Sequence, residues 1–126
     1  MVLEKAPDPN MVKILKIKIN FMKIFFIYVT FNSVKEAKIL GKQLVKNKLA
    51  ACTNIIPKIY SIYSWKNKEM TETECSMIVK TSKLKLKKAI NFIIKKHSYE
   101  CPAVSSFSIN SANPDFVKWI NQQTKN

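Results

Sequence analysis

An α+β fold, with one antiparallel sheet carrying helices on a single face, is predicted by two kinds of apolar periodicity and by the order in which they occur. Strand-like runs occupy residues 23–31, 49–65, 70–81 and 103–110, and helix-like runs occupy residues 34–48, 83–97 and a short stretch after residue 113. The order is strand, helix, strand, strand, helix, strand and a terminal helix. That is the ferredoxin-like βαββαβ sandwich with a long central hairpin and a C-terminal helix. With 126 residues, 47% of them hydrophobic and 10% aromatic, the chain has the size of one domain and enough apolar residues for its core. Residues 1–22 are assigned to an N-terminal extension and residues 23–126 to the domain.

The extension opens on the breaker Ala6-Pro7-Asp8-Pro9-Asn10 and continues with lysines mixed among aliphatics. Three readings fit it: a dispensable extension, an extra pairing strand, or a cleaved organellar targeting peptide, although it has neither arginine nor serine. Ile24-Phe25-Phe26-Ile27-Tyr28-Val29-Thr30 is too apolar for a half-exposed edge and predicts a central strand. Ser33 and Glu36 then have the spacing of a capping box, worth about 1 kcal/mol. The helix they start carries Val34, Ala37, Leu40, Gly41, Leu44 and Val45 on its apolar face and ends near Asn47 or Lys48. Pro57 interrupts the next strand and lacks an amide donor, so it predicts a bulge or an edge. Lys66-Asn67-Lys68 is the turn of the hairpin. The second long helix places Leu86, Ala89, Ile90, Ile93 and Ile94 on one face and lysines on the other. Asn113-Pro114-Asp115 starts the terminal helix, which carries Phe116, Trp119 and Ile120.

The composition excludes several functions. The formal charge of +14 suggests a polyanionic partner, but all 22 basic residues are lysine, so the arginine fork that reads guanine edges is absent. The lysines are spread along the chain, as a biased coding sequence would spread them. A single glycine, Gly41, inside a helical pattern permits neither a P-loop nor a dinucleotide fingerprint. Three cysteines without a CxxC pair predict reduced thiols and a cytoplasmic setting. The longest apolar run, residues 24–29, is far short of the roughly 20 residues a membrane helix needs, so no span is expected.

Five stretches carry a family resemblance: Ala50-Ala51-Cys52-Thr53-Asn54-Ile55-Ile56-Pro57, Ser61-Ile62-Tyr63-Ser64-Trp65, Lys80-Thr81, His97-Ser98-Tyr99-Glu100-Cys101-Pro102 and Phe116-Val117-Lys118-Trp119-Ile120. Together they resemble the CutA divalent-cation-tolerance proteins, from about residue 23 to residue 123. The resemblance implies a homotrimer in which three subunits pack their sheets around a three-fold axis and the hairpin tips reach onto neighbours. It also implies a non-enzymatic protein associated with tolerance of divalent ions such as copper. The trimeric build is similar to that of PII-type signalling proteins, which bind small effectors between subunits, so effector binding without a metal role is the alternative. Four departures stand out. The family's His-Pro-Tyr is His97-Ser98-Tyr99 here, its following Pro-Glu is Pro102-Ala103, and glycines usual after the proline and in the hairpin turn are Lys58 and Asn67.

Two sets of candidate site residues follow. Tyr63 and Trp65 alternate onto one strand face, while Glu72, Glu74 and Lys80 share a face of the partner strand. Joined by Tyr99, the set Tyr63, Trp65, Glu74, Lys80 and Tyr99 would line a ligand cleft between subunits, unless the aromatics are intersubunit core and the charges a solvated face. His97, Cys52 and Cys101 are the candidate ligands for an exchangeable Cu(II) or other divalent ion, because imidazole and thiolate suit such metals. The bland readings are a helix-capping histidine and a cysteine buried as a small hydrophobe. Two other functions are weighed. An RNA-recognition module would need stacking aromatics on its third strand, where Thr73, Cys75, Met77 and Val79 alternate with Glu72, Glu74 and Ser76, so no specific nucleic-acid partner is expected. A Cys52–His97 enzyme would need the two side chains in contact.

Overall fold

The computed structural model of the protein describes residue 6 and residues 8–126. Its elements run α1 (Pro9–Phe21), β1 (Ile24–Phe31), α2 (Val34–Lys46), β2 (Cys52–Trp65), β3 (Lys68–Ser82), α3 (Lys83–Lys96), β4 (Val104–Ser108) and α4 (Pro114–Gln123). The four strands form one antiparallel sheet in the order β2-β3-β1-β4. β1 lies inside it, as its unbroken apolar run predicts. Ile27, Val29 and Phe31 pair with Val79, Met77 and Cys75, and all six turn to one face. There Ala37, Leu40 and Leu44 of α2 and Ala89 and Ile93 of α3 close the core.

Local chemistry sets the boundaries. Ser33 Oγ accepts the Glu36 N–H at 3.1 Å and starts α2. α2 exits through Asn47 and through Lys48 at φ 57°, a left-handed conformation held here without glycine. The Thr81 hydroxyl donates to the Leu49 carbonyl at 2.7 Å and pins the following loop to β3. Gly41 lets α2 approach the sheet: an added Cβ would meet Thr53 Oγ1 at 3.0 Å and Met77 Sδ at 3.2 Å.

Four sequence expectations are corrected. Residues 12–19 lie within α1, so they form no pairing strand. The Asp8 side chain accepts the Asn10 N–H at 2.8 Å, and the aliphatics at Met11, Ile14 and Leu15 have helical rather than alternating spacing. Val45 and Ile94, expected on buried faces, are 43% and 48% exposed at the margins of their apolar stripes. Lys85, expected in water, is 4% exposed, and its ammonium donates to the Asn126 side-chain carbonyl.

Among the described residues, the second sheet face is covered only at one end. Ile24, Ala51 and Ile120 pack there with Phe26, Ile109, Phe116 and Val117, so α4 closes that end. Farther along the same face stand Tyr28, Ile78, Asn54 and Ile56, and Ile56 is 41% exposed. β1 has no residue beyond the Phe31–Cys75 pair, so residues 59–65 and 68–74 continue past the sheet as a two-stranded ribbon.

Candidate ligand site

The ribbon meets the body of the sheet at Glu74, where the Tyr99 hydroxyl donates to the Glu74 carboxylate at 2.6 Å. Tyr99 is placed by the turn that follows α3. His97 caps that helix, its backbone N–H bonding the Ile93 carbonyl. Its ring stacks on Phe31 with centroids 4.6 Å apart and tilts against Tyr99 at 4.6 Å. Nδ1 accepts the Tyr99 N–H at 3.0 Å, which puts the ring proton on Nε2 and makes Nε2 the donor to the Thr30 carbonyl at 2.7 Å. Glu36 completes the arrangement, accepting the Ser98 N–H at 3.1 Å and its hydroxyl at 2.9 Å. The Tyr99 phenol is held well above its ordinary pKa, first by burial and then by its bond to Glu74. Tyr63 is also raised, chiefly by Glu72 beside it.

A bulge decides what the ribbon presents. Ile56 pairs with Ser76 and the next pair is Ile59 with Glu74, so β2 carries one extra residue around Pro57. The insertion reverses which β2 residues share a face with the even-numbered residues of β3. Before it, Cys52, Asn54 and Ile56 stand with Lys80, Ile78 and Ser76; after it, Ser61, Tyr63 and Trp65 stand with Glu72, Met70 and Lys68. Tyr63 and Trp65 therefore share the carboxylate face, 39% and 59% exposed, while Tyr60 and Ile62 point the other way, 68% and 69% exposed.

The five candidate cleft residues do not gather within one subunit. Tyr99 and Glu74 are bonded, and Tyr63 lies near Glu72, but Trp65 is at the ribbon tip. Lys80 lies about 20 Å along β3 from Glu74 at the ordinary strand rise. Its ammonium sits 5.4 Å from the Phe26 ring centroid and 5.5 Å from that of Phe116, at the end covered by α4.

The metal ligands are likewise dispersed, and among the described residues no three His, Cys, Asp or Glu side chains are grouped to hold an ion. His97 has both ring nitrogens engaged within the subunit, by the Thr30 carbonyl and the Tyr99 N–H, and is 9% exposed. Cys52 pairs with Lys80, opposite Phe26, whereas His97 bonds Thr30, about 13 Å farther along β1. That separation removes the Cys52–His97 nucleophile and base within a subunit. Cys52 is half-buried and Cys101 exposed. Cys75 is buried, and burial pushes its thiol pKa up.

Sequence reasoning missed the role of Glu36, which the capping-box spacing assigned to Ser33 but which the structure spends on Ser98. The missed signal was Ser98 itself: where the resembled family has proline, it offers both an N–H and a hydroxyl to a nearby acceptor.

Fold and site together define a small α+β protein with a one-sided core, a projecting two-stranded ribbon and a polar junction at the ribbon's root. Residues 25–123 match the family model described as CutA1 divalent ion tolerance protein. The chain belongs to that family. It is 40% identical over 93 residues to a CutA homolog of Xenopus laevis, covering 74% of this chain and 62% of the relative's length. It is 38% identical over 97 residues to the divalent-cation tolerance protein CutA of Archaeoglobus fulgidus, covering 77% of this chain and 94% of that one. The crystal structure of the divalent ion tolerance protein CutA1 from Ehrlichia chaffeensis superposes with a TM-score of 0.78 at 34% identity, covering 81% of this chain and 95% of that one.

Proposed function

We propose that the chain acts as a homotrimer of ferredoxin-like subunits that binds a divalent cation or a small effector at the junctions between subunits, without catalysing a reaction. One observation carries this reading: the ribbon exposes apolar side chains on both faces, Tyr60 and Ile62 on one and Tyr63 and Trp65 on the other. A lone two-stranded ribbon is marginal in water, and here it needs a covering surface on each side. Neighbouring copies supply both at once. The ribbon face that carries Glu72, Glu74 and the Tyr99 phenol then becomes a boundary between subunits, where Lys80 or Trp65 of another copy can complete a cleft.

The ion follows from the family, whose members' names connect them with divalent cations. Cu(II) or a similar ion is exchangeable cargo in this reading. With His97 engaged, the donors open to it are the exposed Cys101, the half-exposed Cys52 and the Glu72 and Glu74 carboxylates, and the free thiols support a cytoplasmic setting. Native mass spectrometry with and without Cu(II) tests the reading, since it reports subunit number and metal stoichiometry together. Three copies and copper uptake that survives His97→Ala are expected. A monomer, or uptake abolished by His97→Ala in an intact trimer, would overturn it.

A further inference from the structure

Helix α1 is not accounted for by the core. Met11, Ile14 and Leu15, at i, i+3 and i+4, form an apolar stripe 53%, 49% and 48% exposed, and Met22 beyond the helix is 41% exposed. Lys13 and Lys16 stand on the opposite side of the same helix and are exposed. No aspartate or glutamate occurs between Pro9 and Lys35, and the whole chain carries +14. A helix of 13 residues is too short to cross a bilayer, and one this short is marginal in water on its own.

The stripe needs an apolar surface and the lysines select which one. An uncharged surface covers Ile14 and Leu15 but offers nothing to the ammonium groups. An anionic bilayer offers both, because a helix lying in its interface buries the stripe while lysine stems reach back to the headgroups. We propose that α1 docks this chain on an anionic lipid bilayer, lying flat with Met11, Ile14 and Leu15 toward the acyl chains and Lys13 and Lys16 among the headgroups. The docking does not depend on how the domain assembles or on what it binds.

Vesicle co-sedimentation of the full chain tests this, using phosphatidylcholine alone and phosphatidylcholine mixed with phosphatidylglycerol. Binding to the mixed vesicles is expected to exceed binding to the neutral ones by on the order of tenfold and to weaken with salt. Ile14→Glu/Leu15→Glu and Lys13→Glu/Lys16→Glu should each abolish most of that gain. Both variants should melt like wild type, since α1 lies outside the core. Equal binding to the two vesicle types would overturn the proposal. So would wild-type binding by the Ile14→Glu/Leu15→Glu variant, which would assign the attraction to lysines of the domain. A change in subunit number in either variant would assign the stripe to another copy of the chain.

Discussion

Around His97 a run of hydrogen bonds links three side chains, His97, Tyr99 and Glu74. The imidazole spends both nitrogens on backbone groups of Tyr99 and Thr30, which orients Tyr99, and Tyr99 in turn fixes Glu74. The raised Tyr99 pKa has a readable consequence. A folded state that holds the phenolic proton more tightly than the unfolded chain gains stability that is complete below the ordinary value near 10.0 and is lost as pH rises above it. Tyr99 should therefore be the last tyrosine to ionise in an ultraviolet phenolate titration. Wild type should also lose stability faster above about pH 10 than Tyr99→Phe does, as measured by urea unfolding. Equal pH slopes would show that the Glu74 bond does not persist in solution. The pair of bonds from Ser98 to Glu36 is tested separately. A double-mutant cycle of Glu36→Ala with Ser98→Ala should give a coupling of about 0.5–1 kcal/mol, and additive losses would mean that the two side chains act independently.

At the scale of elements, the turn between β2 and β3 shows how far local chemistry specifies the hairpin. Lys66 and Asn67 take φ of 50° and 63°, the pair of left-handed residues that a tight hairpin with right-handed strand twist requires. Asparagine tolerates this conformation, and a β-branched residue does not. Asn67→Val should cost about 1–2 kcal/mol in thermal or urea unfolding, while Asn67→Gly should be close to neutral. Loss of the same size in both would point to a side-chain contact of Asn67 rather than to its backbone. This turn, the Ser33 cap, the central position of β1 and the bulge at Pro57 were all legible in the sequence, because each depends on residues within a few positions of one another. What the bulge does was not legible. Alternation alone grouped Tyr63 with Trp65 and Glu72 with Glu74, but which groups share a face depends on register across the ladder. Lys85 was misread for a related reason. The periodicity of α3 could not reveal that Asn126, at the far end of the chain, returns to meet its ammonium, nor that Leu84 beside it would be left 62% exposed. Glu74 and Lys80 share a strand face yet lie about 20 Å apart along β3, so a cleft that uses both needs a second subunit.

The whole molecule has more apolar surface than one copy can bury. α2 and α3 close one sheet face, α4 closes one end of the other, and the ribbon leaves the sheet with large side chains on both sides. In the proposed trimer Trp65 is the clearest anchor, because it is the largest side chain at the ribbon tip and stands 59% exposed in a single copy. Truncating it distinguishes two situations. If Trp65 packs into a neighbour, Trp65→Ala removes a buried aromatic at every equivalent contact, at roughly 3 kcal/mol or more each, and the assembly should dissociate at protein concentrations where wild type stays associated. If Trp65 faces water, the change should stay within about 0.5 kcal/mol and leave the mass unaltered. Sedimentation velocity over a dilution series reads the difference directly. Ile62→Ala, on the opposite face of the same ribbon, is the informative companion. Dissociation by both variants is expected if neighbours cover the ribbon on two sides, whereas dissociation by Trp65→Ala alone would leave the Tyr60 and Ile62 face free for another partner. A wild-type chain that sediments as a monomer at micromolar concentration would remove the assembly itself, and with it the intersubunit cleft.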